Sequence, residues 1–232
     1  MRAILLGLLL LGGLGALVMV WRYGGLPCPW WLVPLLENPY VEHVAGAPVL
    51  LERAGIEPGM RVLDAGCGPG RLTLPAARRV GSGGRVVALD FQPRMLEMLA
   101  RRVREAGLEN VDIVRARLGD GALPSDTFDV ALLVTVLGEI PSRLTALREL
   151  HRSLRPGGML SVTEVLPDPH YQPLARVRAL AREAAFFEHS LVSSWLSYTL
   201  NLTRPEEARA ASPAIPSSSA TSAPGSGTAT EA

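Results

Sequence analysis

Five apolar runs, at 60 to 65, 85 to 89, 111 to 114, 128 to 135 and 158 to 165, are separated by stretches of helical periodicity. Short apolar runs bounded by turn residues read as strands, and strands alternating with helices predict a parallel sheet covered on both faces, an α/β fold of the doubly wound kind. Between the second and third runs, Pro93 stands in a first helical turn and Met95, Leu96, Leu99 and Val103 recur on one face. Gly107 follows as the cap. A second amphipathic helix is predicted from about Ser142, with Leu144, Leu147, Leu150 and Leu154 along its inner face, to the Arg155-Pro156-Gly157-Gly158 break. Leucines at that spacing are core. A helix over 173–185, a short strand over 186–192 and an alternating stretch from Trp195 to Leu202 complete the pattern.

The two ends of the chain are patterned differently. Ala3 to Trp21 runs for nineteen residues without a charge, bounded by Arg2 and Arg22. As a helix this is about 28 Å long, close to the ~30 Å hydrocarbon core of a bilayer, so residues 1–22 are predicted to be a single-pass membrane anchor. No small-x-small cleavage site follows the run, and Pro27 ahead of Cys28 suits lipoprotein processing poorly. Residues 23–38 then hold Cys28, Trp30 and Trp31 among prolines, an interfacial linker in which paired indoles match the membrane boundary. Gly12 and Ala16 are four apart, a weak sign of helix pairing. Past Arg204 the chain becomes Ala, Ser, Pro, Thr and Gly, and residues 205–232 are predicted to be disordered because too few large apolar groups remain to offset ordering entropy. One domain over 39–204 is left.

The chemistry concentrates in Arg61-Val62-Leu63-Asp64-Ala65-Gly66-Cys67-Gly68-Pro69-Gly70, a buried strand running into a glycine-rich turn before a helix. Such a turn lets a ligand lie on bare backbone. Twenty residues on, Val86-Val87-Ala88-Leu89-Asp90 ends a second strand on a carboxylate, where nucleotide-binding units hold ribose hydroxyls. Asp64 ahead of the first glycine repels a pyrophosphate and suits the ammonium of a bound amino acid. This turn resembles motif I of the class I S-adenosylmethionine-dependent methyltransferases, closest to the branch with the quinone-biosynthesis enzymes, over about Pro39 to Thr203. The resemblance implies a Rossmann-like sheet whose last strand, over 195 to 202, is antiparallel. It also implies S-adenosylmethionine as cofactor, held by Asp64, Gly66, Cys67, Gly68, Gly70, Asp90, Phe91, Arg117, Leu118 and Thr135. Asp129, at the fourth strand's start, is structural in that family. Arg117 departs from the pattern: an acceptor is usual near the adenine amino group, and Arg cannot accept a hydrogen bond. Asp120 or the Leu118 backbone is then left to supply it.

An acceptor pocket is expected beyond the carboxyl ends of the strands, in Thr135 to Ile140 and in Pro167 to Tyr171. Glu139 there is either a base that also attracts the cofactor's positive charge, or a solvated helix-capping acid. His170 is a base near neutral pH or a plain loop residue. Asp168 and Tyr171 suit acceptor binding. The resemblance adds Tyr40, as a third catalytic candidate, and His43, closing the site from an N-terminal helix. Methyl transfer asks mainly for alignment and exclusion of water, so no triad or metal cluster is needed, and the four His and two Cys have no ligand-like spacing.

Composition narrows the classes. Net charge is +1, all 23 basic residues being Arg, with no aromatic-and-Arg interleaving; nucleic acid is not expected as a partner. Two cysteines give no disulfide framework. The sequence therefore reads as a membrane-anchored methyltransferase acting on an apolar or amphipathic small molecule, a lipid head group or a quinone-like ring, with its domain facing the cytoplasm, where S-adenosylmethionine is made. Two other readings stay open: a non-catalytic S-adenosylmethionine-binding membrane sensor or assembly factor, and a nicotinamide-dependent dehydrogenase. The acceptor, the atom methylated and the oligomeric state are not specified.

Overall fold

The computed structural model describes residues 28–33, 37 and 39–206. Its elements in chain order are α1 (Pro39–Ala45), α2 (Ala47–Arg53), β1 (Arg61–Ala65), α3 (Thr73–Val80), β2 (Arg85–Asp90), α4 (Pro93–Glu105), β3 (Val111–Arg115), β4 (Phe128–Val134), α5 (Arg143–Ser153), β5 (Leu154–Val165), α6 (Leu174–Glu183), β6 (Phe187–Ser193) and β7 (Ser197–Thr203). The strands form one seven-stranded sheet in the order β3-β2-β1-β4-β5-β7-β6. β1 to β5 are parallel, and β7 runs antiparallel to both β5 and β6. This is the Rossmann-like arrangement expected, with the antiparallel closing strand.

Register follows from burial. In β1 every residue after Arg61 is buried, as a central strand covered on both faces requires. β3 is an edge, and its apolar run is only half covered. β7 reads as alternating yet is buried over Ser197–Leu202, because β5 and β6 flank it and α-helical or loop structure covers its faces. The edge falls instead on β6, which is mostly exposed.

The helices match their patterns closely. α4 starts at Pro93 and buries Met95, Leu96, Leu99 and Val103, and Gly107 beyond its end has φ +62°. α5 buries Leu147 and Leu150, but Leu144 is only half covered, and Leu154 belongs to β5 rather than to the helix. The expected break at Arg155–Gly158 is a bulge inside the strand: Phe128 pairs with Leu154, and pairing resumes at Val130 with Met159. Asp129 ties three strand starts together, accepting the Arg61 N–H at 2.6 Å and pairing with Arg155 at 2.7 Å.

Among the described residues no helix is long and apolar enough to cross a membrane. The anchor expected over 1–22, part of the linker over 23–38 and the tail from residue 207 lie outside them. Of the linker, Trp30–Leu32 makes one 3-10 turn and Val33 is buried.

Candidate active site

The carboxyl ends of β1, β2, β4 and β5 open onto one cavity of about 860 Å³. Beyond β1 the chain must turn sharply under a neighbouring loop. At Gly66, φ is +78°, and a Cβ there would lie 2.5 Å from Val136 Cγ2, so no larger residue fits. The N–H groups of Gly66 and Cys67 donate to the Leu89 carbonyl at 2.7 and 3.0 Å, tying the turn to β2. Gly68 N–H donates to Asp90 Oδ2 at 3.0 Å and Gln92 N–H to Oδ1 at 2.8 Å. Two backbone donors thus aim the Asp90 carboxylate and leave it lone pairs for a ligand; burial pushes its pKa up.

Asp64 is buried and accepts the Thr73 hydroxyl at 2.6 Å. Burial pushes its carboxyl up to about 6, against the pull of Thr73 and the Arg71 guanidinium. Arg71, itself on the wall, donates to the Ala45 carbonyl at 2.7 Å. Gly70 is not on that wall: a Cβ there would meet Leu99 Cδ1 at 2.4 Å, so this glycine packs the turn closely onto α4.

On the β2–β3 side, the Arg117 guanidinium lies 4.0 Å from the centre of the Phe91 ring, a cation–π stack. Leu118, Gly119 and Asp120 continue the wall, so both expected substitutes for the missing acceptor line the cavity. That loop is held from α5 by buried Glu149, which accepts the N–H of Gly119 at 2.5 Å and of Leu123 at 3.0 Å.

The third wall brings together the acceptor-pocket candidates. Thr135 follows β4 directly at φ +56° and donates its N–H to the Thr163 carbonyl at 2.8 Å. A 3-10 turn over Leu137–Glu139 follows. Gly138 is pressed against the loop after β5, where a Cβ would fall 1.8 Å from the His170 carbonyl oxygen. This contact sets Glu139 beside His170, with Oε1 4.0 Å from Nδ1. Glu139 is no solvated cap: its side chain is 17% exposed. Burial, with Asp168 adding, pushes its carboxyl up to about 8. Asp168 Oδ1 accepts the His170 N–H at 2.6 Å, and both residues line the cavity. Tyr171 does not; its ring packs edge-on against Tyr198, centres 6.0 Å apart, among core residues. Tyr40 lines the cavity and donates its hydroxyl to the Leu166 carbonyl at 2.9 Å. His43 lies in α1, with its side chain outside what the structure describes.

One contributor carries no periodicity or motif to reveal it. Cys28 crosses the cavity, its N–H donating to Glu139 Oε1 at 3.2 Å and its carbonyl accepting from Gln92 Nε2 at 3.0 Å. Burial pushes its thiol up to about 12, so it is a neutral wall group. Leu32 lines the cavity too, and Glu37 pairs with Arg102 at 2.9 Å. Among the described residues no cluster of His, Cys, Asp and Glu is fit to hold a metal ion.

A bare-backbone turn, an aimed carboxylate, a second buried acid and an aromatic wall together suit a nucleoside carrying an amino acid and a positive charge. Asp90 offers acceptors for ribose hydroxyls, Asp64 and the turn face an ammonium-bearing part, and Phe91 offers a face for a base.

Residues 62–158 match the family described as methyltransferase domain. Nocamycin O-methyltransferase of Saccharothrix syringae is 35% identical over 158 residues, 63% of this chain and 55% of that protein. A ubiquinone/menaquinone biosynthesis C-methyltransferase of Vibrio vulnificus is 36% identical over 128 residues, 55% of this chain and 49% of that one. The chain thus spans about half the length of the curated relatives it matches. A SAM-dependent methyltransferase of Aquifex aeolicus has the same fold, with a TM-score of 0.71 at 22% identity, covering 76% of this chain and 99% of that one. Glycine turn, acid-tipped second strand, sheet order and relatives converge on an S-adenosylmethionine-dependent methyltransferase domain over the matched residues, 62–158, on a fold shared with the Aquifex aeolicus structure.

Proposed function

We propose that this protein is a membrane-anchored enzyme that transfers a methyl group from S-adenosylmethionine to an apolar or amphipathic small molecule, of which a quinone-like ring is the favoured class. When bound, S-adenosylmethionine supplies an electrophilic methyl group on a cationic sulfur. The residues that would hold it are Asp64, Gly66 to Gly68, Asp90, Phe91 and the Leu118 to Asp120 backbone, all on the cavity wall. Fold alone does not set a reaction; the reading is carried by Glu139, a carboxylate facing the same cavity as Asp64 and Asp90, beside His170.

With its pKa near 8, Glu139 holds its proton at neutral pH in the free enzyme. A cation in the cavity favours the ionised carboxylate, so loading the site prepares Glu139 to take a proton from the acceptor. The Cys28 N–H holds Oε1 in place, and His170 stands next in line. The apolar remainder of the wall, including Val136, Ile140, Val165 and Leu166, excludes water and suits a hydrophobic ring. Quinone-biosynthesis enzymes among the relatives support that acceptor class, and the uncharged run at 3–21 supports the membrane, with the domain on the cytoplasmic side where the cofactor is made.

The test uses the full chain in detergent, labelled S-adenosylmethionine and a demethylmenaquinone acceptor. Label is expected in the organic extract at a rate rising with acceptor. Calorimetry with S-adenosylhomocysteine and with NAD runs alongside. Binding of S-adenosylhomocysteine with no label in demethylmenaquinone or in a total lipid extract would sink the enzymatic reading and leave a sensor; preference for NAD would sink the cofactor.

A further inference from the structure

Of the nine large apolar side chains left exposed among the described residues, five, including all three tryptophans, gather at one end of this domain. Trp30 and Trp31 are 50% and 62% exposed on the 3-10 turn that follows Cys28 across the cavity. Tyr40 and Leu166, both exposed and both on the cavity wall, meet through the Tyr40 hydroxyl and the Leu166 carbonyl. Leu166 N–H in turn donates to the Leu196 carbonyl at 2.7 Å, beside Trp195, which is 85% exposed. Because Ser197 pairs with Val165, the turn holding Trp195 sits at the carboxyl end of β5, the end at which the cavity opens. A collar of this kind is more than the scattered exposure normal for a soluble surface.

From these positions we infer that the rim of Trp30, Trp31, Tyr40, Leu166 and Trp195 rests on a lipid bilayer, and that the methyl acceptor enters the cavity from the hydrocarbon side. This rests on the membrane reading above. Trp31, Trp30 and Trp195 are indoles and Tyr40 a phenol, the side chains that settle at a membrane boundary with the ring in the acyl region and the polar edge in water. Chain length points to the same occupant. Trp21, the last residue of the uncharged run, precedes Trp30 by nine positions, which reach at most about 30 Å when fully extended. A span ending at Trp21 therefore keeps the rim within about one bilayer thickness of the lipid. Phe187, 64% exposed, lies at the opposite end, where β6 pairs with Thr203, and faces away from any such surface.

The inference is tested with the full chain in phosphatidylcholine vesicles, using lipids brominated on the acyl chains to quench tryptophan. Three single-tryptophan proteins are compared, with every other tryptophan changed to phenylalanine: one keeping Trp31, one keeping Trp195, and one carrying Phe187→Trp alone. Binding of S-adenosylhomocysteine checks that each is folded. Emission from Trp31 and Trp195 is expected to fall by at least half in brominated vesicles, and that of the Phe187→Trp reporter by less than a tenth. Protein that floats with vesicles but shows no quenching at 31 and 195, or equal quenching at all three positions, overturns the rim while leaving the anchor. Shielding of 31 and 195 from acrylamide that grows with protein concentration, without bromine quenching, overturns it in favour of a second copy. Failure to float at all overturns the membrane reading too.

Discussion

Asp90 is a buried acid and Glu139 a half-buried one, and their surroundings assign them different work. Asp90 is held by backbone N–H groups of Gly68 and Gln92, with Phe91 adding to them, whereas Glu139 takes one, from Cys28. Hydrogen bonds to a charged acceptor are worth about 1.5–3 kcal/mol each. Asp90→Ala is therefore expected to weaken S-adenosylhomocysteine binding by about 10- to 100-fold in calorimetry; unchanged affinity would show that this acid holds no ligand. Glu139→Gln should leave that affinity within a few-fold and lower turnover by about 10²- to 10⁴-fold, the usual range for a lost general base. Because Glu139 ionises at about 8 in the free enzyme, kcat/KM of the parent for S-adenosylmethionine should rise with pH up to about 8, and this limb should be absent from the variant. A rising limb retained in Glu139→Gln would assign the base elsewhere, with His170 next to be replaced. Asp64 and Asp90 were legible in the chain because each ends an apolar run at the spacing of a nucleotide-binding unit. Glu139 was legible only as a choice between base and solvated cap, since burial depends on Cys28, 111 residues away.

Elements place these side chains through backbone contacts that leave no room for a Cβ. The turn over Leu137–Glu139 and the loop after β5 touch where Gly138 meets the His170 carbonyl, and together they set Glu139 against His170. Gly138→Ala must push the two apart. Turnover is expected to fall at least 10-fold with S-adenosylhomocysteine binding and circular dichroism close to the parent's; full activity would mean that their spacing does not matter. The helical stripe of α4 was read correctly down to its four buried residues because period and capping are local properties. Leu154 was assigned to α5 because its spacing continues the leucine stripe, but strand pairing with Phe128 claims it. Tyr171 followed a strand, as the pocket residues do, and still turned to pack on Tyr198.

At the scale of the whole molecule, the sheet also encloses an acid that does not line the cavity. Glu164, in β5, accepts the Gln172 N–H at 3.2 Å through Oε2, while Oε1 is buried with no partner. Burial pushes its carboxyl up to about 8. In the unfolded chain a glutamate ionises near 4.3. Between those values the folded protein keeps a proton that the unfolded chain has released, so stability falls as pH rises from about 4.5 to 8 and levels above. Glu139 adds to the slope with the same sign. Glu164→Gln removes one of the two, and because a full proton difference is worth about 1.4 kcal/mol per pH unit, its stability relative to the parent should improve by on the order of 3–4 kcal/mol between pH 5 and pH 8 in urea titrations. An offset independent of pH would show that Glu164 is ionised throughout. Strand positions, helix faces and the glycine turn could be read from the sequence because they rest on short-range periodicity and on conformations open to few residues. The tertiary structure alone decided which loops meet over the cavity: Gly70 packs onto α4, half-buried Tyr171 packs on Tyr198, and Cys28 joins the wall beside Glu139. Those outcomes depend on contacts between segments far apart in the chain, and no local pattern of hydrophobic and polar residues encodes them.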